Sequence, residues 1–329
     1  MTNDAAAKAA LTAFLPDGDV STLRPLGEGL INTTFRAGTP DGQAYVLQRV
    51  NTKVFPDPEA VMRNSLRVTS WMRDRLREQG ADPSRRVPEF LPTRSGAYLF
   101  RVPSEDGDSV WRCSRMIEGA QAHTTLSDPR LLYEAGRGYG EFQRLLDGFP
   151  ARELAEVLPG SHDTRKRFAA FLDALERDPA GRAKEAEREI AYLREREAFA
   201  GEVVGLLEQG ALPLRVTHND TKLSNVLLDD KTGEAVCVID LDTVMPGTVL
   251  YDFGDAIRTG AASAAEDDPV TEHMNFLPAY CEAFREGFLE RCGEILLPVE
   301  RENLMLGARM IVFEQAVRFL TDHLEGDVY

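Results

Sequence analysis

Two short apolar runs, Val226–Leu228 and Ala235–Ile239, are joined by the turn DDKTG in a stretch that otherwise reads as helix from Leu131 onward. A β-hairpin set among helices constrains the fold more than any other feature. It needs a partner surface, and it brings the start of its first strand beside the end of its second. Asn225 stands at the first of those points and Asp240 at the second, so the hairpin is expected to bring an amide oxygen and a carboxylate together. Such hard oxygen donors suit Mg²⁺, with water and phosphate completing its shell. The hairpin is entered through "VTHNDTKLSN". Asp220 lies five residues before Asn225, placed to accept a proton from a hydroxyl, and Lys222 is placed to neutralise a transferring phosphoryl group.

A base, metal ligands and a cation around one point are the parts of phosphoryl transfer. The spacing His218-x-Asp220 followed by Asn225, with a later Asp240, matches the catalytic-loop pattern of kinases, with "DLD" at Asp240–Asp242 in place of D-F-G. A lone D-x-x-x-x-N would read as turn capping. The histidine, the hairpin and the second aspartate together favour the catalytic reading. His218 and Asn219 are read as ordering the loop backbone.

Upstream of this region the chain is rich in strands. Thr33–Ala37 and Ala44–Val50 flank the turn "GTPDG" and form a hairpin. "GAYLFRV" and "VWRCSRMI" are two further strands. Between these pairs a helix starts at "DPEAVM", with Asp57 as cap and Pro58 in the first turn. Met62, Leu66, Thr69, Met72 and Leu76 supply its buried face. "AGRAKEAEREIAYLREREAF" reads as one solvated helix with Ala183, Ala186, Ile190 and Leu193 inward, and "NLMLGARMIVFEQAVRFLTDHL" as a long buried helix. The fold class expected is α+β, a bilobal architecture with a small β-rich lobe over residues 1–117 and a large helical lobe over 118–329. The junction lies near Ile117–Ala120.

Composition limits the partners. Lys and Arg number 38 against 54 Asp and Glu, a net charge of -16. Such a surface disfavours general nucleic-acid binding, which needs cationic fields, but allows a nucleotide in a local pocket. The N-terminal "MTNDAAAKAALTAF" reads as a short amphipathic helix, not a signal peptide, and no run is long and apolar enough to span a membrane. The four cysteines, Cys113, Cys237, Cys281 and Cys292, fit no zinc spacing and read as core residues of a cytoplasmic protein. Oligomeric state is not legible.

The loop "LGEGLINTTF" offers Gly27 and Gly29 for close approach of backbone amides to phosphate, with Asn32 and Thr33 as side-chain contacts. It opens no helix, so it is neither a Rossmann nor a Walker loop. The third strand carries Arg49 where a kinase has lysine, with Glu59 as a candidate partner.

On "GEGLINTTF", "YVLQRVN", "MIEGAQ", "LPLRVTHNDTKLSNVLLD", "VIDLDTVMPGTVLYDFGDAIRTGA" and "RFLTDHLEGDVY", the chain resembles the aminoglycoside phosphotransferase and choline kinase superfamily. "HNDTK", "DLDTVMPG" and "RFLTD" resemble its bacterial N-acetylhexosamine 1-kinase branch. The resemblance implies a protein-kinase-like fold, ATP and Mg²⁺, and transfer of the γ-phosphate to the anomeric hydroxyl of GlcNAc or GalNAc. It implies Asp220 as base, Asn225 and Asp240 as metal ligands assisted by Asp242, and Met116, Ile117 and Glu118 as the hinge beside adenine. Arg318 and Tyr329 match sugar-holding positions, with Ile31, Arg258 and Thr259 expected nearby. Thr259 stands where an aromatic residue is expected, and Arg63 where an acidic one is. Asp252 and Asp255 are expected to stabilise the catalytic loop. Alternatives are another acceptor (another sugar, a cyclitol, an aminoglycoside or choline) and a non-catalytic nucleotide-binding protein.

Overall fold

The structure, a computed structural model, describes residues 3–15, 20–27, 31–103, 107–264, 268 and 270–328. Gly29 and Tyr329 lie outside the described residues. The elements run α1 (Asn3–Phe14), β1 (Thr22–Pro25), β2 (Thr33–Gly38), β3 (Ala44–Val50), α2 (Pro58–Glu78), β4 (Phe100–Val102), β5 (Ser109–Arg115), β6 (Ala120–Ala122), α3 (Pro129–Leu145), α4 (Thr164–Arg177), α5 (Glu187–Arg194) and α6 (Glu202–Glu208). They continue as β7 (Arg215–Thr217), β8 (Val226–Asp229), β9 (Ala235–Val238), β10 (Met245–Gly247), α7 (Val249–Gly260), α8 (Pro278–Cys292), α9 (Pro298–Glu302) and α10 (Leu304–Glu325). Short 3₁₀ turns fill several gaps.

The chain divides into two packed units. One comprises Met1–Thr124 with Ser224–Val244, the other Thr125–Leu223 with Met245–Tyr329. This differs from the simple split after residue 117. Strand β6 pairs antiparallel with β8, so the hairpin joins the sheet-rich unit instead of the helical one.

In the first unit a five-stranded antiparallel sheet has the order β1-β2-β3-β5-β4. Phe35, Tyr45, Leu47, Trp111 and Cys113 form one face of it, and α1 covers that face with Ala6, Ala7, Ala10, Leu11 and Phe14. The amphipathic reading of α1 therefore holds. Burying a side chain such as Leu11 or Phe14 stabilises the unit by about 1.5–3 kcal/mol. Asp57 caps α2 as the sequence indicates, accepting the Ala60 amide at 2.9 Å.

The second unit is helical. Helices α3 and α8 pack with glycines at the contact: a Cβ on Gly287 would lie 2.0 Å from the Tyr133 carbonyl oxygen, and one on Gly136 2.3 Å from that of Phe284. The solvated helix expected across 180–199 is broken. A 3₁₀ turn at Ala183–Ala186 precedes α5, and a second, at Glu197–Gly201, follows it. Ala186, Ile190 and Leu193 are nevertheless buried, while Ala183 is only half-buried, so most of the inward face holds and its continuity does not.

Candidate functional site

The functional side chains divide between the two units. In the helical unit, β7 leads into the loop that carries Asp220 and Lys222. Arg215 anchors the strand through a fork to buried Glu300, at 2.6 and 2.8 Å, and Thr217 bonds the Met245 carbonyl on β10. Beyond it the backbone turns sharply, with Asn219 in the left-handed region at φ 63°.

Two carboxylates on α7 hold this turn. Asp252 accepts the amides of His218 and Asn219, each at 2.9 Å, and the side-chain amide of Gln143 at 2.9 Å. Asp255 accepts the Thr221 amide at 2.8 Å, while the Thr221 hydroxyl donates to the Asp252 carbonyl at 2.6 Å. Tyr139 donates to the Lys222 carbonyl at 2.9 Å. Burial pushes the Asp252 carboxyl above its ordinary range, against the opposing pull of the Asn219 amide and the other groups around it.

His218 is fully buried, edge-on to Tyr139 and Phe142, and its Nδ1 takes the Asp220 amide at 3.3 Å. It packs and orders the loop, as the sequence suggests. Asp220 and Lys222 keep part of their side chains in reach of solvent and form an ion pair at 2.9 Å. A backbone held by two buried carboxylates and the His218 ring thus presents a part-exposed carboxylate with a cation beside it.

Of the residues expected at the acceptor, Arg258, Thr259 and Arg318 lie on this unit's helices. Arg258 forms a two-pronged pair with Asp255, at 2.9 and 3.1 Å, so its cation braces the loop scaffold. The Thr259 hydroxyl donates back to the Asp255 carbonyl at 2.9 Å. Arg318 on α10 bonds Gln315 at 2.9 Å. Asp163 caps α4, while His162 stacks on Tyr251 and lies 3.2 Å from buried Glu314.

In the sheet-rich unit, the hairpin joins Asn225 to Asp240 as its strand order requires. The Ile239 amide donates to the Asn225 carbonyl at 2.9 Å, which sets the residues flanking both strand ends side by side. Asp240 follows in the left-handed region at φ 61°. Among the described residues no group of three or more His, Cys, Asp or Glu side chains is arranged to hold a metal. An amide and a carboxylate instead fit a hard cation that takes its other ligands from phosphate and water.

Asp242 departs from the ligand role implied for it. It is buried, paired with the Arg112 guanidinium, and its other oxygen accepts the Asn32 amide at 2.6 Å. Arg112 also donates to Gln48 at 3.0 Å. The register pairs Gln48 with Arg112, and Arg49 with Trp111 and Thr33. Side chains alternate along a strand, so Arg49 and Thr33 share the sheet side of Leu47 and Trp111, the side that α1 covers. Gln48 and Arg112 take the other side, with Asp242. The cation facing Asp242 is therefore Arg112 on β5, which the sequence reading missed. The only sequence signal was strand alternation, and that needed a register. Glu59 pairs with Arg101, not with the partner suggested for it.

At the proposed hinge the Met116 amide bonds the Ala44 carbonyl, and Arg36 reaches both the Met116 sulfur at 3.3 Å and Glu118 at 3.6 Å. Ile117 is buried. Ile31 is exposed, and its carbonyl accepts from the Asn51 side chain at 3.3 Å. Gly27 adopts φ 68°, a conformation that glycine tolerates without strain.

A small antiparallel sheet lobe and a helical lobe carrying such a loop define a protein-kinase-like α+β fold. Solved structures of that kind align over almost all of the chain. An aminoglycoside 2'-phosphotransferase in its GDP complex matches with TM-score 0.59 and 14% identity, covering 100% of both chains. An amicoumacin kinase in complex with AMP-PNP, Ca2+ and Ami matches with TM-score 0.57 and 12% identity, over 100% of this chain and 94% of that one. A microcompartment-associated aminopropanol kinase matches with TM-score 0.53 and 19% identity, over 99% and 95%. Residues 22–293 match the model of the phosphotransferase enzyme family (APH), and the chain belongs to that family.

Proposed function

We propose that this phosphotransferase is an ATP-dependent small-molecule kinase that phosphorylates the anomeric hydroxyl of an N-acetylhexosamine, GlcNAc or GalNAc. The observation that carries the kinase reading is the catalytic loop: every amide around Asp220 is tied down, and Asp220 with Lys222 is left accessible. The sugar reading rests on the "HNDTK", "DLDTVMPG" and "RFLTD" stretches and on Arg318.

In this reading Asn225 and Asp240 hold Mg²⁺. When bound, the ion offsets charge on the nucleotide phosphates. Asp220 orients the acceptor hydroxyl and takes its proton as the oxygen attacks the γ-phosphorus. The new P–O bond forms as the bond to the β,γ-bridging oxygen breaks, and ADP leaves with that electron pair. Lys222 steadies charge at the phosphoryl group and pairs with Asp220 at 2.9 Å. Gly27 and Gly29 are assigned to the phosphates, while the Asn32 side chain is spent on Asp242 and the Asn51 amide. Met116, Ile117 and Glu118 are assigned to adenine, and Arg318, Tyr329 and Ile31 to the sugar. Arg258 and Thr259 shape the sugar side through Asp255.

Cationic acceptors are the competing class, since the structural neighbours are named for aminoglycoside and aminopropanol substrates. A cation wants unspent carboxylates, and those of Asp252 and Asp255 are committed to the loop backbone. The test is ADP release with Mg-ATP across free sugars, amino sugars, aminoglycosides, amino alcohols and choline, followed by ³¹P NMR of the product. Phosphate at C1 of GlcNAc or GalNAc is expected. Turnover confined to a cationic acceptor would replace the sugar assignment and keep the role of Asp220.

A further inference from the structure

We propose that Asp242 is the anchor of the metal-bearing turn, not a metal ligand, and that Arg112 and Asn32 are positioning residues acting through it. The inference rests on the reading of Asp240 as a ligand. The turn after β9 places Asp240 in a backbone region uncommon for residues other than glycine, and such a conformation persists only where its surroundings impose it. Two structures grip the turn within the sheet-rich unit. From α2, Asn64 donates to the Val244 carbonyl at 2.8 Å and Ser65 to the Leu241 carbonyl at 3.4 Å. From the sheet, Arg112 and Asn32 take one oxygen each of Asp242.

The charge arrangement explains why Asp242 serves poorly as a ligand. Its carboxylate is already neutralised by a buried guanidinium, and a divalent cation on the same group would face that positive charge. Arg112 is itself fixed by Gln48, which bonds Thr34 at 3.3 Å, and lies over the Phe90 ring at 5.6 Å. The clamp extends to the glycine loop's exit: Asn32, which donates to Asp242, also accepts the Asn51 amide at 3.0 Å. Protein kinases tie the sheet to the helix by a lysine–glutamate pair. In this chain an arginine–aspartate pair ties the sheet to the metal turn.

The test compares wild type, Arg112→Met, Asp242→Asn and the double variant. Hydrogen exchange is followed across 239–244 in metal-free protein, and Mn²⁺ affinity is measured by EPR in the presence of ADP. Both single variants should speed exchange of the Val244 amide and weaken Mn²⁺ binding roughly tenfold or more, the usual loss when a ligand's support is removed. The double variant, which leaves no buried charge unpaired, should be no worse than either single and covers the case in which a single variant fails to fold. Wild-type or tighter Mn²⁺ binding by Arg112→Met, with loss in Asp242→Asn, would make Asp242 a ligand and overturn the inference. Unchanged exchange in every variant would overturn it too. Wild type that binds no Mn²⁺ would remove the kinase reading, while the exchange result would still decide whether the clamp exists.

Discussion

Asp220 and Asp252 are both aspartates of one loop system, and their surroundings give them opposite tasks. Asp220 is accessible beside a lysine, whereas Asp252 is buried under backbone amides. Asp220→Asn should lower turnover by about 10²–10⁴, the range for a lost general base, with nucleotide affinity from isothermal titration nearly unchanged. Asp252→Asn replaces an acceptor with a donor opposite buried amides, and should cost about 1–3 kcal/mol in urea unfolding. Its pH dependence has a definite sign. The folded carboxyl titrates above the unfolded value of 3.8, so its contribution is full below that pH and is lost as pH rises through the folded value. The stability gap between wild type and Asp252→Asn should accordingly narrow as pH rises through that window. The loop-ordering part of His218 was legible in the sequence because a short loop carries it. Arg112 was not, because only the strand register tells which of Gln48 and Arg49 faces Asp242.

At the scale of elements, tight packing and turns carry the architecture. Gly287→Ala would drive a methyl into the Tyr133 carbonyl of α3, and helix backbones yield little. The expected cost is about 1–3 kcal/mol or more, measured by thermal or denaturant unfolding. The β8–β9 turn offers a pH probe. Amides of Lys231 and Thr232 and the Arg85 guanidinium lower the Asp229 carboxyl to about 2. A depressed acid stabilises the fold above its unfolded value of 3.8, and that stabilisation is lost as pH falls toward 2. Asp229→Asn should flatten this part of the acid-unfolding profile followed by circular dichroism. Strands with apolar runs, such as β2, β3 and β5, were readable by pattern. The three-residue strands β6, β7 and β10 were not, since so short a run has no period and exists only through its partner.

For the molecule as a whole, charge and burial make the predictions. A net charge of -16 repels an anionic nucleotide at long range. Raising salt from about 10 to about 150 mM shortens the Debye length from about 30 to about 8 Å, and should speed nucleotide association in stopped flow. All four cysteines are buried, and burial pushes the Cys113 thiol up to about 12. Native protein should leave a thiol reagent unreacted until unfolding exposes them. Among the described residues no helix is long and apolar enough to cross a membrane. The sequence by itself determined the longer strands of the sheet, the Asp57 cap of α2 and the hairpin that sets Asn225 beside Ile239, because each depends on neighbours within one turn or hairpin. Only the tertiary structure decided that the hairpin joins the sheet unit, that Asp242 is spent on Arg112 and Asn32, and that Arg258 braces Asp255. Those pairings join residues far apart in the chain, and local patterns carry no information about such partners.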